Sequence, residues 1–302
     1  MILLTIALAF SLTPRFVTEA AETPSAKPKT IHLGLVSNKP RERIEEHLDL
    51  INYIASKLGP HMKGKVVVAS DPEQMAKLIQ EKEVDLYLES AYPTFLINEQ
   101  TGAKLLLRRW KEGVAEYRTL LLTKSDSGIA RLRDLLGKII ALEDPGSTSG
   151  YFLPKAFLIK RGFKLVEKSS FLDPVSSQEI GYVFSHGSEK TIINWVLLRK
   201  VAAGALNSSD FDKLGEKRKR ELSILAETET LPRHLLSVRK DLDSALTQRL
   251  KDILLTMHQD EAGQKALKKA DKTSKFDLLP DGEEMVYQKI RELFRVVTQS
   301  KP

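Results

Sequence analysis

Apolar residues along the chain switch between two periods. The run "IHLGLVS" (31–37) is short, apolar and closed by a polar turn, the pattern of a buried strand. Beyond it, Ile44, Leu48, Ile51, Ile54 and Leu58 recur at steps of three and four, one apolar helical stripe ended by Gly59-Pro60. "KVVVAS" (65–70) predicts a second strand, and Asp71-Pro72 supply a cap and a first-turn proline for a helix to about Lys82. "EVDLYLES" (83–90) predicts a third strand, ended by a turn containing Tyr92-Pro93. This β-α-β-α-β order is the signature of a mostly parallel sheet covered by helices.

The alternation returns further along. "EYRTLLLTKSDSGI" (116–129) predicts a long strand, "IARLRDLLG" (129–137) a capped helix and "KIIALED" (138–144) a strand. A helix then runs to Gly162. "WVLLRKVAAGAL" (195–206) ends in a small-residue strand before "NSSDFDKL", and "LSILAETETLPRHLLSVRK" (222–240) predicts a strand pair. From Asp241 onward the pattern is helical and amphipathic, with Leu250, Ile253, Leu254 and Met257 on one face. Two α/β halves of this kind imply two lobes. Ligands of open α/β sheets bind beyond the carboxyl ends of the strands, where the polar turns at Ser37, Ser90, Ser147 and Asn207 fall.

Composition narrows the class. The 302 residues suit two domains, and 42% hydrophobic with 29% charged residues is a folded composition. The net charge of +7 is spread over 47 basic and 40 acidic residues. The densest basic run, "KLGEKRKREL" (213–222), holds two acids and no aromatic residue, which fits an exposed helix or connector and not a nucleic-acid surface. The absence of cysteine excludes disulfides, thiol catalysis and cysteine-held metals, and the six histidines are scattered without metal-binding spacing. No metal or other cofactor is expected. The opening run "MILLTIALAFSL" is too short for a bilayer, which needs about 20 residues, and fits the core of a secretory signal over residues 1–21, followed by a linker over 22–30. The expected product is periplasmic and carries no lipid anchor.

The chemistry concentrates in "EDPGSTSGYFLPKAFL" (143–158). A nucleophile elbow needs serine at the centre of G-x-S-x-G, and Thr148 stands there. A P-loop needs lysine after its last glycine, and Tyr151 stands there. What remains is a strand-to-helix turn whose free N–H groups and positive dipole end suit an anion. Ser147, Thr148 and Ser149 offer more hydroxyls than a helix cap needs, Gly150 allows close backbone approach, and Pro154 fits the first turn.

This stretch resembles the second-lobe motif of the phosphate/phosphite/phosphonate-type substrate-binding proteins of ABC transporters, in which D-P-x-S-T-S-G opens the helix that grips the phosphonate. "LGLVSNKPRERIEEHLDLINYIASKLG", "VDLYLESAYPTF", "VAAGALNSSDFDKL" and "LPRHLLSVRKDLD" are similar to further family segments in the same order, spanning roughly 31–243. The resemblance implies a two-lobed type II periplasmic-binding-protein fold: 31–120 with 226–302 as lobe 1, and 121–225 as lobe 2, joined by a hinge. It implies a monomeric, non-enzymatic protein that closes on a small phosphonate-like, phosphate-like or zwitterionic ligand and delivers it to a membrane permease. A protein presenting its closed form to a membrane sensor is the alternative; an enzyme on the same frame is a third reading. By position, Ser147, Thr148, Ser149 and Tyr151 would bind from lobe 2, and Ser37, Asn38, Ser90 and Tyr92 from lobe 1. Glu89 replaces the uncharged, glycine-containing turn of the family, and either faces the ligand or points away. The family's ligand-binding histidine aligns with Glu189 without a gap and with His186 through an insertion, ahead of Asn207. If both glutamates line the cleft, the ligand carries a cation.

Overall fold

The computed structural model describes residues 29–186 and 189–299. The expected secretory signal lies outside them. The chain begins with β1 (Lys29–Val36), α1 (Pro40–Leu58), β2 (Met62–Ala69), α2 (Pro72–Gln80), β3 (Leu86–Glu89), α3 (Ala91–Thr101) and β4 (Lys104–Lys111). It continues through β5 (Glu116–Tyr117), β6 (Thr119–Lys124), β7 (Ile139–Leu142), α4 (Leu153–Ile159), β8 (Lys164–Glu167) and β9 (Glu179–Phe184). Next come α5 (Glu189–Leu197), β10 (Ala203–Asn207), α6 (Ser208–Asp212), α7 (Glu216–Arg220), β11 (Leu222–Glu227), β12 (Leu231–Pro232) and β13 (His234–Val238). The last elements are α8 (Ser244–Thr256), α9 (Glu261–Lys269), β14 (Thr273–Asp277) and α10 (Gly282–Gln299).

Two sheets define two lobes. The first has the order β14-β4-β13-β3-β1-β2, the second β11-β6-β10-β7-β9-β8, and β5 pairs with β12 in a two-stranded ribbon. In the first sheet β1, β2 and β3 are parallel and β13 inserts antiparallel between β3 and β4. In the second, β8, β9, β7 and β10 run one way and β6 is antiparallel to β10 and β11. The carboxyl ends of β1, β3, β7 and β10 carry the polar turns singled out above.

Several local expectations are corrected. Lys29 and Thr30, read as linker, already belong to β1, because pairing with β2 reaches back to Lys29 and Met62. Tyr92-Pro93 is the first turn of α3, which starts after Ser90; its buried face includes the polar Thr94, Asn98 and Thr101 and its outer face the apolar Tyr92 and Leu96, so no apolar stripe betrays it. "IARLRDLLG" forms only a 3₁₀ turn at Leu132–Leu135, since Leu135 alone is buried and Gly137 turns left-handed at φ 73°. "LSILAETETLPRHLLSVRK" is not a strand pair: β11 joins β6 in the second sheet and β13 joins β3 and β4 in the first. The chain crosses between lobes there.

Core packing follows the periodicity. Ile51, Ile54 and Leu58 of α1 pack with Leu33, Leu35, Leu250 and Leu254, while Ile44 and Leu48 of the same stripe stay more than a third exposed. A separate apolar cluster joins the lobes: Phe152 and Leu153 of the second pack with Phe95, Leu231, Ile290 and Leu293. Burying such side chains stabilises by about 1.5–3 kcal/mol each, so this seam holds the lobes together on the α10 side.

A charged cluster lies at the carboxyl end of β4. Asp271, left-handed at φ 51°, receives Arg43 at 2.6 and 2.9 Å and Arg109 at 3.0 Å, with Lys111 at 3.6 Å. These cations hold its carboxyl far below the usual range against the cost of burial. His47 packs against the same group. Burial, with Arg109 and Arg43 alongside, pushes its pKa down to about 3, and His234 is pushed well below its ordinary value by burial and Lys111. Both imidazoles therefore stay neutral in the folded protein while the unfolded chain protonates them near pH 6.5. The sign follows: unfolding binds protons below pH 6.5, so stability is lost as pH falls from about 6.5 toward 3, by up to about 1.4 kcal/mol per pH unit and histidine. Urea titrations at about pH 7.5 and about pH 5.5, one unit on either side of the unfolded pKa, should show that loss, and His47→Gln should remove roughly half of it. A His47→Gln protein with the unaltered slope would place the sensitivity elsewhere.

Candidate functional site: the cleft between the lobes

The hydroxyl motif sits between β7 and α4. Its backbone forms a wide turn over Thr148–Phe152, in which Phe152 N–H bonds Ser147 O at 3.0 Å and Leu153 N–H bonds Thr148 O. Turns of this i→i+5 type recur at functional sites. Asp144 braces the approach by accepting Gly146 N–H at 2.8 Å.

The three hydroxyls have different duties. Ser147 is the cap: its Oγ accepts Gly150 N–H at 2.9 Å and donates to Glu143 Oε2 at 2.6 Å. Thr148 reaches the other lobe. Its Oγ1 accepts Tyr92 N–H at 2.9 Å and donates to Ser90 Oγ at 3.1 Å. Ser149 is buried, and its carbonyl accepts the Thr119 hydroxyl at 2.6 Å. Burial raises the pKa of the Tyr117 phenol, and the neighbouring Thr148 and Ser149 side chains act the other way. The cap explains one hydroxyl of the three.

Gly150 also has a packing role. A Cβ there would stand 2.3 Å from Glu143 Cβ and 2.4 Å from Glu143 Oε2. The glycine makes room for the protein's own carboxylate at the head of the turn. Burial pushes the Glu143 carboxyl up, and Asp144, Asp210 and Glu189 push it further. Four acids thus gather on the second-lobe side. Among the described residues no group of three or more such side chains is close enough to hold a metal ion.

Other candidates fall around this centre. Ser90 and Tyr92 form the start of α3, and the Tyr92 ring stacks on Phe152 with centroids 4.2 Å apart and planes 5° from parallel. Glu89 accepts Ser90 N–H at 2.6 Å; burial raises its pKa while Arg43 and Lys111 act the other way, so it belongs to the basic surroundings of lobe 1. Asn207 caps α6 by accepting Asp210 N–H at 2.9 Å. His186, left-handed at φ 46°, donates its N–H to Glu143 O at 3.0 Å, and its ring lies 5.8 Å from that of Phe184. Glu189 opens α5 and acts on Glu143. The Ser37 hydroxyl closes its own turn by accepting Lys39 N–H at 3.0 Å, and Asn38 is exposed. Tyr151 turns to the far side of the motif, where its hydroxyl accepts from Lys155 Nζ at 2.8 Å.

Residues not anticipated complete the picture. Glu143 precedes the motif it serves, and a carboxylate next to an expected anion gave no signal by itself. Lys213 at the end of α6 contacts Glu112 beyond β4 and lies 3.5 Å from Asp210, tying the lobes by charge. Arg233 bonds Lys111 O at 2.9 Å and meets Glu112 at 3.4 Å.

Two mixed α/β lobes, joined at a ribbon and meeting through strand-end turns, are those of a type II periplasmic binding protein. The family model described as ABC transporter, phosphonate, periplasmic substrate-binding protein matches residues 33–281, and the chain belongs to that family, which is a transport family and not a family of enzymes. A solved structure of XAC2383 from Xanthomonas citri bound to chloride ion is 28% identical, with a TM-score of 0.79 over 90% of this chain and 98% of that one. The same protein bound to ATP is similar at 27% identity and a TM-score of 0.78, with the same coverage. PhnD1 from Prochlorococcus marinus (MIT 9301), in complex with methylphosphonate, shares the fold at 17% identity and a TM-score of 0.65 over 90% of this chain and 99% of that one. Among the described residues no helix is long and apolar enough to cross a membrane.

Gly150→Ala tests the packing of Glu143. The added methyl forces that side chain off the turn, and chemical denaturation should register a loss of about 1–3 kcal/mol. Unchanged stability would mean Glu143 is free to leave.

Proposed function

We propose that the chain is an exported, non-enzymatic receptor that closes on a zwitterionic phosphonate and hands it to an ABC-transporter permease. Residues 31–118 and 228–299 act as one lobe and 119–227 as the other, because Thr119–Leu120 and Ala226–Glu227, set by sequence in or at the edge of the first lobe, pair within the second sheet. The hinge lies where the chain crosses at Tyr117–Thr119 and Glu227–Leu231, beside the β5–β12 ribbon. The observation that carries this reading is the Thr148 hydroxyl, bonded at once to Tyr92 N–H and Ser90 Oγ of the opposite lobe. A ligand oxyanion entering between them accepts from all three groups, so the closed state gains bonds that the open state lacks. Ser147, through the cap, fixes the turn, and Ser149 and Tyr117 complete the donor set.

The four acids decide the ligand's other end. An anion alone, set beside Glu143, Asp144, Glu189 and Asp210, meets like charge. An alkylphosphonate carrying an amine places its ammonium among them. Asn207 and His186 shape that end of the cleft. Glu89 stays with Arg43 and Lys111 and does not reach the ammonium.

Calorimetry should find 2-aminoethylphosphonate bound at least about tenfold more tightly than methylphosphonate or inorganic phosphate, a difference of about 1.4 kcal/mol. Glu143→Gln should shrink that preference, and Thr148→Val should weaken all phosphonates with little loss of fold stability, since a hydrogen bond contributes about 1 kcal/mol. Equal affinity for the three ligands would remove the amine from the reading. Unaltered affinity in Thr148→Val would remove the cleft.

A further inference from the structure

A second crevice opens on the other side of the hydroxyl turn, with a cavity of about 990 Å³. Its walls come from both lobes: Tyr151, Lys155 and Tyr182 from the second, and Tyr92, Phe294 and Val297 from the first. That volume is at the upper end of pockets that hold small organic molecules. Lys155 is half-buried at its centre. Its Nζ donates to Tyr151 Oη at 2.8 Å and Tyr182 Oη at 3.2 Å, and lies 4.8 and 5.1 Å from the two ring centroids. The rings are held in turn by Phe184, at 5.4 Å from Tyr151 and 5.5 Å from Tyr182.

The two phenol oxygens converge on a single cation position at the hydroxyl ends of the rings. The cation position is already filled by the protein's own ammonium. Lys155 is met by the two phenol oxygens; Glu167, at the rim of the same crevice, is exposed and accepts from Tyr182 Oη at 3.2 Å. The crevice therefore offers a positive centre set in aromatic and aliphatic walls. A cationic guest would have to displace Lys155. A flat apolar body with one negative group complements all of these features.

We propose that this crevice is a second binding site, separate from the phosphonate cleft, for a small aromatic acid. Its ring lies among Tyr151, Tyr182 and Phe294, and its anionic group meets Lys155. Because the walls belong to both lobes, an occupant also changes the free energy of lobe closure, and by linkage phosphonate changes its affinity in return. Its lining does not depend on which ligand fills the cleft.

The experiment is calorimetric titration of the full chain with naphthoate, with naphthylmethylamine as the cation of matching shape. Naphthoate should bind and the amine should not. Lys155→Met should weaken naphthoate at least about tenfold while leaving affinity for 2-aminoethylphosphonate unchanged. Val297→Trp, which fills the crevice from the α10 side without altering charge, should block naphthoate as well. If circular dichroism shows that one variant fails to fold, the other decides. Absence of naphthoate binding, equal binding of the amine, or full naphthoate affinity in the folded variants overturns the proposal. So does loss of naphthoate in Thr148→Val with none in Lys155→Met, which would put the probe in the phosphonate cleft.

Discussion

The Thr148 hydroxyl is the point on which the two halves of this molecule turn. A threonine hydroxyl has one hydrogen to give and two lone pairs to offer, and here it gives to Ser90 and accepts from the Tyr92 amide. Both partners stand at the start of α3, so one side chain of the second lobe meets the head of a helix in the first. With no ligand between them, a few neutral hydrogen bonds of this kind hold the lobes together at this point, each contributing about 1 kcal/mol. An oxyanion offers more lone pairs than a hydroxyl and forms stronger, charge-assisted bonds. The same atoms can therefore hold a weakly closed empty state and a strongly closed occupied one, with the ligand supplying the difference.

Charge is divided between the lobes in a way that suits this. Arg43, Arg109, Lys111 and Arg233 gather on the first lobe around Asp271 and Glu112, and Glu143, Asp144, Glu189 and Asp210 on the second. Tyr117 lies between and feels both Arg233 and Glu143. Lys213 crosses the gap to Glu112. Opposed faces of this kind draw the lobes together through the cleft, and salt screens them over roughly 8–10 Å. The half-buried carboxylate of Glu143 carries an additional cost: it sits where a turn's free N–H groups favour an anion, and yet burial and three neighbouring acids raise its pKa. A guest that brings a cation to this corner relieves that cost, whereas a bare anion adds to it.

Much of this was legible in the sequence, and the reasons for the rest are physical. The apolar stripe of α1, the capped start of α2 and the run into β7 follow local periodicity, and local periodicity is what a single sequence records. α3 was hidden because its buried face carries Thr94, Asn98 and Thr101 while its outer face carries Tyr92 and Leu96, so polarity does not follow exposure. The partners of β11 and β13 were hidden because they lie in different sheets, and pairing at long range leaves no trace in spacing. At the site, the motif announced its hydroxyls but not their division of labour. Ser147 as cap, Thr148 as bridge and Ser149 as support differ only in what the fold brings opposite them. The room that Gly150 makes for Glu143 is likewise a three-dimensional fact.

One short turn faces two crevices. Thr148 meets Ser90 and Tyr92 on the cleft side, and three residues on, Tyr151 meets Lys155 on the other. Phe152 lies between, stacked on the ring of the same Tyr92 whose amide bonds Thr148. A rigid-body rotation of one lobe cannot change the Thr148–Tyr92 distance while leaving the Tyr92–Phe152 stack and the crevice behind it untouched, because all three share the same two backbone segments. Packed interfaces of this kind tend to have discrete arrangements and not a continuum. Closure on a ligand in the cleft must therefore reset the width of the second crevice. Anything that fills the second crevice biases closure with equal free energy in return.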